Sequence, residues 1–576
     1  MSNGNGAFTF VLHSHLPYAR QAGMWPHGEE WIHEAIAETY VPLWTALHDL
    51  AEDGVDYRIT VSVTPILAEQ LADPLIVEHF LTYAEERAAW AAADIERFEE
   101  AGDQELMALA RHFHHWYSRT LTAFRDRFNG DLLGSLKDLQ DRGFVEISTC
   151  AATHGYLPLL SRDSSIYGQI QTGVDAYIGH FGRRPKAIWL PECAYRPAYV
   201  EEENGVQITR PGLESFLAAQ DIRVFFSETH TVEGGRPVGK AAGDAVGIYG
   251  AAPRRQLVNQ PAEQQQEPGT TYKSYWVGDA PGETAVLGRN NRTGQQVWSG
   301  SFGYPGDEWY REFHRKDGVS GMQYWRVGGA EVDLGSKPPY NPEKAQERIG
   351  DHARHFVHLV DELLQQYKEE TGGYGIIASN YDTELFGHWW FEGVDWLKAV
   401  LRGLAELNTV DLTTASTWVD EHGGDEVMIL PESSWGMGGN HFTWMNPDTE
   451  WMWPAIHGAE SRMEALVAEH PDANGELLDV LNQAARELLL LESSDWPFLV
   501  TTAQANEYAS QRFNEHVDRF NSLADIVERG TEMTSDERET LAALEHRDNP
   551  FANIDYRVFA PRQGSAGLAE DAVHAR

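Results

Sequence analysis

The chain has 576 residues, 42% of them apolar, and a formal net charge of −43. That length and composition imply a large globular protein of two or three domains. No apolar run reaches the 18 or so residues of a membrane span, two cysteines exclude a disulfide framework or a cysteine-rich zinc site, and the acidic field repels nucleic acid and anionic membranes.

The N-terminus, MSNGNGAFTFVL, carries no basic segment or cleavage pattern, so a cytoplasmic setting is expected. Acidic residues are dispersed and lysine is scarce, which fits either a protein that stays soluble in high salt or an ordinary acidic protein. The first apolar run, Phe8–Leu12, ends at His13 and His15. In extended backbone these imidazoles share a face. They suit a metal pair, completed by His154 or Asp382, or two donors gripping sugar hydroxyls. A second strand is expected at Tyr57–Val63. The stretch from Asp73 to Gln140 reads as purely helical, an insertion after that strand. A third strand, Val145–Ser148, leads to His154, and an amphipathic helix is expected over Ile166–His180. A fourth, Ala187–Leu190, leads through Pro191 to Glu192, flanked by Trp189 and Tyr195. Val224–Ser227 is followed by Glu228.

Residues 236–283 are rich in Gly, Pro and Gln (VNQPAEQQQEPGTT) and read as a long flexible loop at the active site. A helix is expected over Glu343–Lys368. The strand Gly375–Ala378 leads to Asp382, Glu384, His388, Trp389 and Trp390, a carboxylate delivered to what reads as a wall of rings. Such a wall suits the C–H faces of a sugar. Chemically rich residues after nearly every strand are the signature of a closed (β/α) barrel. Two strand-end carboxyls, Glu192 and Asp382, fit a retaining glycosidase pair, which requires a separation of about 5–5.5 Å. Beyond Ser416 strands are sparse and helices dominate, and the tail after Arg562 reads as disordered.

The blocks HSHLPY, THGYLPLL, WLPECAY, NYDTELFGHWWFEG and SSWGMGGNHFTWMN, taken in this order, resemble glycoside hydrolase family 57. Residues 288–316 and 493–509 agree. Within the family the chain is most similar to α-1,4-glucan branching enzymes. The resemblance implies an α/β fold, a (β/α)7 barrel over 1–72 and 141–415. It adds a helical insertion domain at 73–140 and an all-helical C-terminal domain at 416–562, with 563–576 as tail.

By the same resemblance Glu192 is the nucleophile and Asp382 the general acid/base. His13, His15 and His154 line the adjacent sugar subsite. Arg289, Trp298 and Gly306 come from the block before the last strand, and Trp435, Trp444, Asp495 and Gln504 extend the groove from the C-terminal domain. Trp25 is a further aromatic candidate. Tyr249 resembles the tyrosine of the family's catalytic loop, although the surrounding insertion departs from the family pattern.

The resemblance implies no cofactor and no metal, with α-1,4-glucan as donor and acceptor and a monomer favoured. A hydrolytic amylase-like enzyme and a 4-α-glucanotransferase are alternatives. A metal-dependent mannosidase or deacetylase and a glucan-binding protein without catalysis are more distant ones.

Overall fold

The computed structural model describes residues 4–203, 206–238, 245–247, 250–252, 256–258, 268–278, 281–298, 303–329, 331–424 and 426–562. Seven parallel strands form the barrel: β1 (Gly6–Ser14), β2 (Ile59–Val63), β3 (Val145–Cys150), β4 (Ala187–Trp189), β5 (Val224–Ser227), β6 (Thr284–Gly288) and β7 (Gly375–Asp382). The ladder runs β7-β1-β2-β3-β4-β5-β6. Single hydrogen bonds close it on the other side: Asn290 N–H donates to Ala378 O at 2.9 Å and Ile376 N–H to Tyr272 O at 3.0 Å. The fold is therefore a (β/α)7 barrel. Every residue of β1, β2 and β6 is buried, which is why these strands read as unbroken apolar runs rather than alternating ones.

Parallel pairing brings all seven C-terminal ends to one rim. The register sets His13 directly opposite Asp382 and Ser62 opposite His13.

Strand β6 is the one the sequence pattern does not reveal. Its neighbour Ser274–Val277 pairs with it antiparallel, so the end of the span read as a loop, 236–283, is a β-strand instead. Earlier in that span Arg236–Val238 pairs with Gln256–Val258 and Ala245–Gly247 with Gly250–Ala252. A second unforeseen hairpin joins Tyr199–Glu203 to Val206–Arg210. Tyr249 and the tail 563–576 lie outside the described residues.

After β2, two long helices, Pro74–Ala101 and Gln104–Thr122, form a hairpin. The Asp73 side chain caps the first by accepting from Leu75 and Ile76 N–H, and Asp103 caps the second. Between them Gly102 takes φ 73°, the left-handed conformation that ends a helix without a Cβ penalty. From Trp453 onward the described chain is helical: Trp453–Glu469, Glu476–Leu491, Asp495–Thr501, Asn506–Arg529 and Ser535–Arg547. No helix among the described residues is long and apolar enough to cross a membrane.

Candidate active site

At the end of β4 the chain turns through Pro191–Cys193, and Glu192 and Cys193 take φ 61° and 47°. His154, after β3, takes φ 58°. Such left-handed residues other than glycine cost about 1–3 kcal/mol each and persist only where the surroundings hold them. Here the C-terminal segments hold them. Glu192 O accepts from Trp435 N–H at 3.0 Å and His154 O from Ser494 N–H at 3.1 Å. Tyr195 and Ser433 exchange a backbone pair at 2.9 and 3.0 Å.

The carboxyl of Glu192, a residue 8% exposed, receives two donors. Trp435 Nε1–H reaches Oε2 at 2.5 Å and Ser494 Oγ–H reaches Oε1 at 3.4 Å. A chain of hydrogen bonds continues behind Ser494. Its Oγ lies 2.8 Å from His154 Nδ1; His154 Nε2 lies 3.1 Å from His13 Nε2; His13 Nδ1 lies 3.3 Å from Ser62 Oγ. Burial, with the neighbouring His15, holds both His13 and His154 well below the usual histidine range, so both are neutral. An ionised Glu192 can only accept. Ser494 must then donate to it and accept from His154 Nδ1–H, and His154 Nε2 must accept from His13 Nε2–H. Every donor in the row points toward the nucleophile.

His15 makes a separate arm. Its Nε2 lies 3.0 Å from Asp495 Oδ1 and its Nδ1 3.1 Å from Thr64 Oγ1. The rings of His15 and His154 stack at 3.9 Å, and Trp189 covers His13 at 4.5 Å. Donor atoms of His15, His154 and Asp495 come within 4.8 Å of one another. Yet each of the six ring nitrogens of His13, His15 and His154 already has a hydrogen-bond partner, so a metal would have to displace existing bonds at both imidazoles.

Asp382 follows β7 in ordinary extended backbone, φ −67° and ψ 133°. Burial pushes its carboxyl up to about 7, against the opposing charges of Arg289 and His15. Burial pushes Glu192 up to about 8, opposed by the Trp435 hydrogen bond and reinforced by the charge of Asp382. Taken singly, these values would put the proton on Glu192. The two donors aimed at Glu192 hold it lower than burial alone would, because hydrogen bonds to a carboxylate stabilise its ionised form. Burial thus brings both carboxyls into the neutral range, and the donors that can stabilise a charge are aimed at Glu192.

Next to them Glu384 accepts from His15 N–H at 3.2 Å and from the Tyr40 hydroxyl. Burial raises it to about 8. Arg289 pairs with Glu228 at 3.1 Å and lies over the rings of Trp298 and Tyr381.

The structure thus brings Glu192, Asp382, His13, His15, His154, Arg289, Trp298, Trp435 and Asp495 to one rim. Gln504 has both carboxamide atoms buried without a hydrogen-bond partner, a state that a sugar hydroxyl would relieve. Trp25 stands 76% exposed. Two aromatic expectations need correction. Trp444 is fully buried and stacked on Tyr156 at 4.3 Å, so it offers no exposed face to a sugar. Trp390 is buried among Phe386, Tyr304, Tyr310 and Trp396; it belongs to the core behind Asp382. The chain folds back there at Gly387, φ 103°, where a Cβ would collide with Glu38 O. Gly306 lies in the turn Tyr304–Gly306, held by Tyr304 against this same core.

Sequence reasoning misses Ser494 and Ser62. Ser494 stands beside Asp495 in the block SSDWPFL, but nothing local marks it as a partner of a glutamate 302 residues away.

Residues 9–431 match the family model described as glycosyl hydrolase family 57, and residues 455–559 the model described as the C-terminal part of 1,4-α-glucan branching enzymes. A 1,4-α-glucan branching enzyme of Thermococcus kodakarensis is 45% identical over 551 residues, 95% of this chain and 78% of that protein. Its crystal structure, in complex with glucose and additives, superposes with a TM-score of 0.88 at 43% identity over 97% of each chain. A family 57 type branching enzyme from Pyrococcus horikoshii gives 0.85 at 42% identity, again over 97% of each chain. The α-amylase AmyC of Thermotoga maritima gives 0.79 at 29% identity over 97% of this chain and 99% of that one.

Proposed function

This chain belongs to glycosyl hydrolase family 57, and from that premise we propose that it is a 1,4-α-glucan branching enzyme acting by double displacement. The observation that carries the reading is the pair of carboxyls, buried Glu192 and half-buried Asp382, on strand ends of one rim, the first held by donors from the C-terminal region. In the first step Glu192 attacks the anomeric carbon of an α-1,4-linked glucose. The bond to the leaving O4 breaks as Asp382 gives that oxygen its proton. In the second step Asp382 takes the proton of a glucan O6 hydroxyl. That oxygen bonds to the anomeric carbon, the ester to Glu192 breaks, and an α-1,6 branch results. His13, His15 and His154 line the subsite of the sugar attached to Glu192, and Trp298, Trp435 and Gln504 bind neighbouring glucose units.

The same chemistry with water as acceptor would give an amylase, a second reading favoured by the likeness to AmyC. Acceptor choice depends on excluding water and aligning a second chain. The span 236–283 is our candidate for that control, because Arg236–Val238 runs beside the turn Met437–Gly439 that follows Trp435. Cytoplasmic location, a monomer and a branched storage glucan as product are parts of the same proposal. The test is incubation with amylose, isoamylase debranching and chain-length analysis. New α-1,6 branches are expected; new reducing ends alone would replace this reading with hydrolysis.

A further inference from the structure

Away from the carboxyl pair, three other side chains converge where the loop after β1 meets the helical insertion. Glu29 and His33 stand four residues apart on helix Glu29–Ala35 and so share a face. His79 meets them from helix Pro74–Ala101. One donor atom from each lies within 4.8 Å of the other two. Glu29 Oε2 accepts from His79 Nδ1 at 2.5 Å and is 3.7 Å from His33 Nε2. Its other oxygen accepts Gln21 N–H at 2.7 Å.

His33 is the anomaly. It is 0% exposed, and neither ring nitrogen has a hydrogen-bond partner. Phe80 and Tyr83 offer it only rings, at 6.3 and 5.7 Å. A buried polar atom left unpaired is costly and calls for a partner. The contrast with the rim is sharp: there three histidines have every ring nitrogen engaged, whereas here a buried imidazole sets Nε2 3.7 Å from a carboxylate without reaching a hydrogen bond.

We propose that Glu29, His33 and His79 bind a divalent transition-metal ion of zinc type, with water in the remaining position. Two imidazoles and one carboxylate are a zinc ligand set, and bonds of about 2.0–2.2 Å put tetrahedral ligand atoms about 3.3–3.5 Å apart. The Glu29–His33 pair, at 3.7 Å, is nearly there. His79 must withdraw from Glu29 by about 1 Å, and its side chain, 35% exposed, is free to do so and gives the ion a path in. The net charge of −43 draws cations to the surface.

The ion takes no part in glycosyl transfer. It ties the loop carrying Trp25, which Glu29 already grips through Gln21, to the insertion helix.

The experiment is a Co2+ titration of the metal-stripped full-length protein, followed by its visible absorption and by displacement with Zn2+. Wild type is expected to bind one ion in a low-coordinate site, and His79→Ala to weaken binding by at least about tenfold. His33→Gln should do the same, with circular dichroism and the unfolding midpoint checking that each variant folds. The His15→Asn protein should bind as wild type does. Absence of binding by wild type overturns the proposal. So does binding lost in His15→Asn but kept in His79→Ala, which would move the ion to the rim histidines.

Discussion

The two strand ends that carry the carboxyls are built in opposite ways. After β4 the backbone is forced into left-handed conformations, and Glu192 is gripped by Trp435 and Ser494 from the C-terminal region. After β7 the backbone is relaxed, and among the described residues Asp382 feels burial and the charges of Arg289 and His15. A nucleophile must keep a fixed position and a negative charge, so donors and strain are concentrated on it. An acid that later acts as a base must lose and regain a proton, and a carboxyl left without directional bonds does so readily.

The largest effects should come from removing the two groups. Glu192→Gln is expected to lower kcat by more than roughly 10^4-fold, since no covalent intermediate can form. Asp382→Asn should cost about 10^2- to 10^4-fold. The loss for Asp382→Asn should shrink with a donor whose leaving group needs no proton, such as a fluoride, whereas the loss for Glu192→Gln should not. Equal responses would erase the contrast.

Trp435→Phe keeps a ring and removes one donor. A hydrogen bond to a charged group predicts a fall in kcat/KM of about 10- to 100-fold. Because the lost bond favoured ionised Glu192, the acid limb of the pH–rate profile should move to higher pH. Ser494→Ala should move it the same way with a loss of about 3- to 10-fold.

The smallest effect concerns stability. An unfolded aspartate titrates near about 3.9, while Asp382 in the fold is raised to about 7. Between those values the folded state holds the extra proton, so stability falls as pH rises and the loss is complete above the folded value. Asp382→Asn lacks this loss. Its unfolding midpoint should gain on wild type from mildly acidic to neutral pH and then run parallel. A gap independent of pH would mean that Asp382 is not the titrating group.

The barrel is largely legible in the sequence because its strands are buried on both faces, and Phe8–Leu12 or Val224–Ser227 can hardly be anything else. β6 escapes notice because TAVLG is short and follows a Gly-rich stretch. The hairpin at 199–210 escapes because Val-Glu-Glu-Glu lacks alternation, although the Asn204-Gly205 dipeptide beside it is a hairpin signal. Trp390 misleads for a related reason: adjacent tryptophans after a carboxylate look like a wall, and only the fold-back at Gly387 sends one of them into the core.

Sequence by itself determined which residues end the strands, and with them the carboxyls, the histidines and the family resemblance, because strand periodicity and motif order are local properties of the chain. Tertiary structure alone decided what those residues do to one another. Ser494 meets Glu192 and Asp495 meets His15 across separations of 302 and 480 residues. Contacts that long leave no trace in local composition. They set the direction of each hydrogen bond around Glu192, and they bury His33 beside Glu29 without a hydrogen bond to either ring nitrogen.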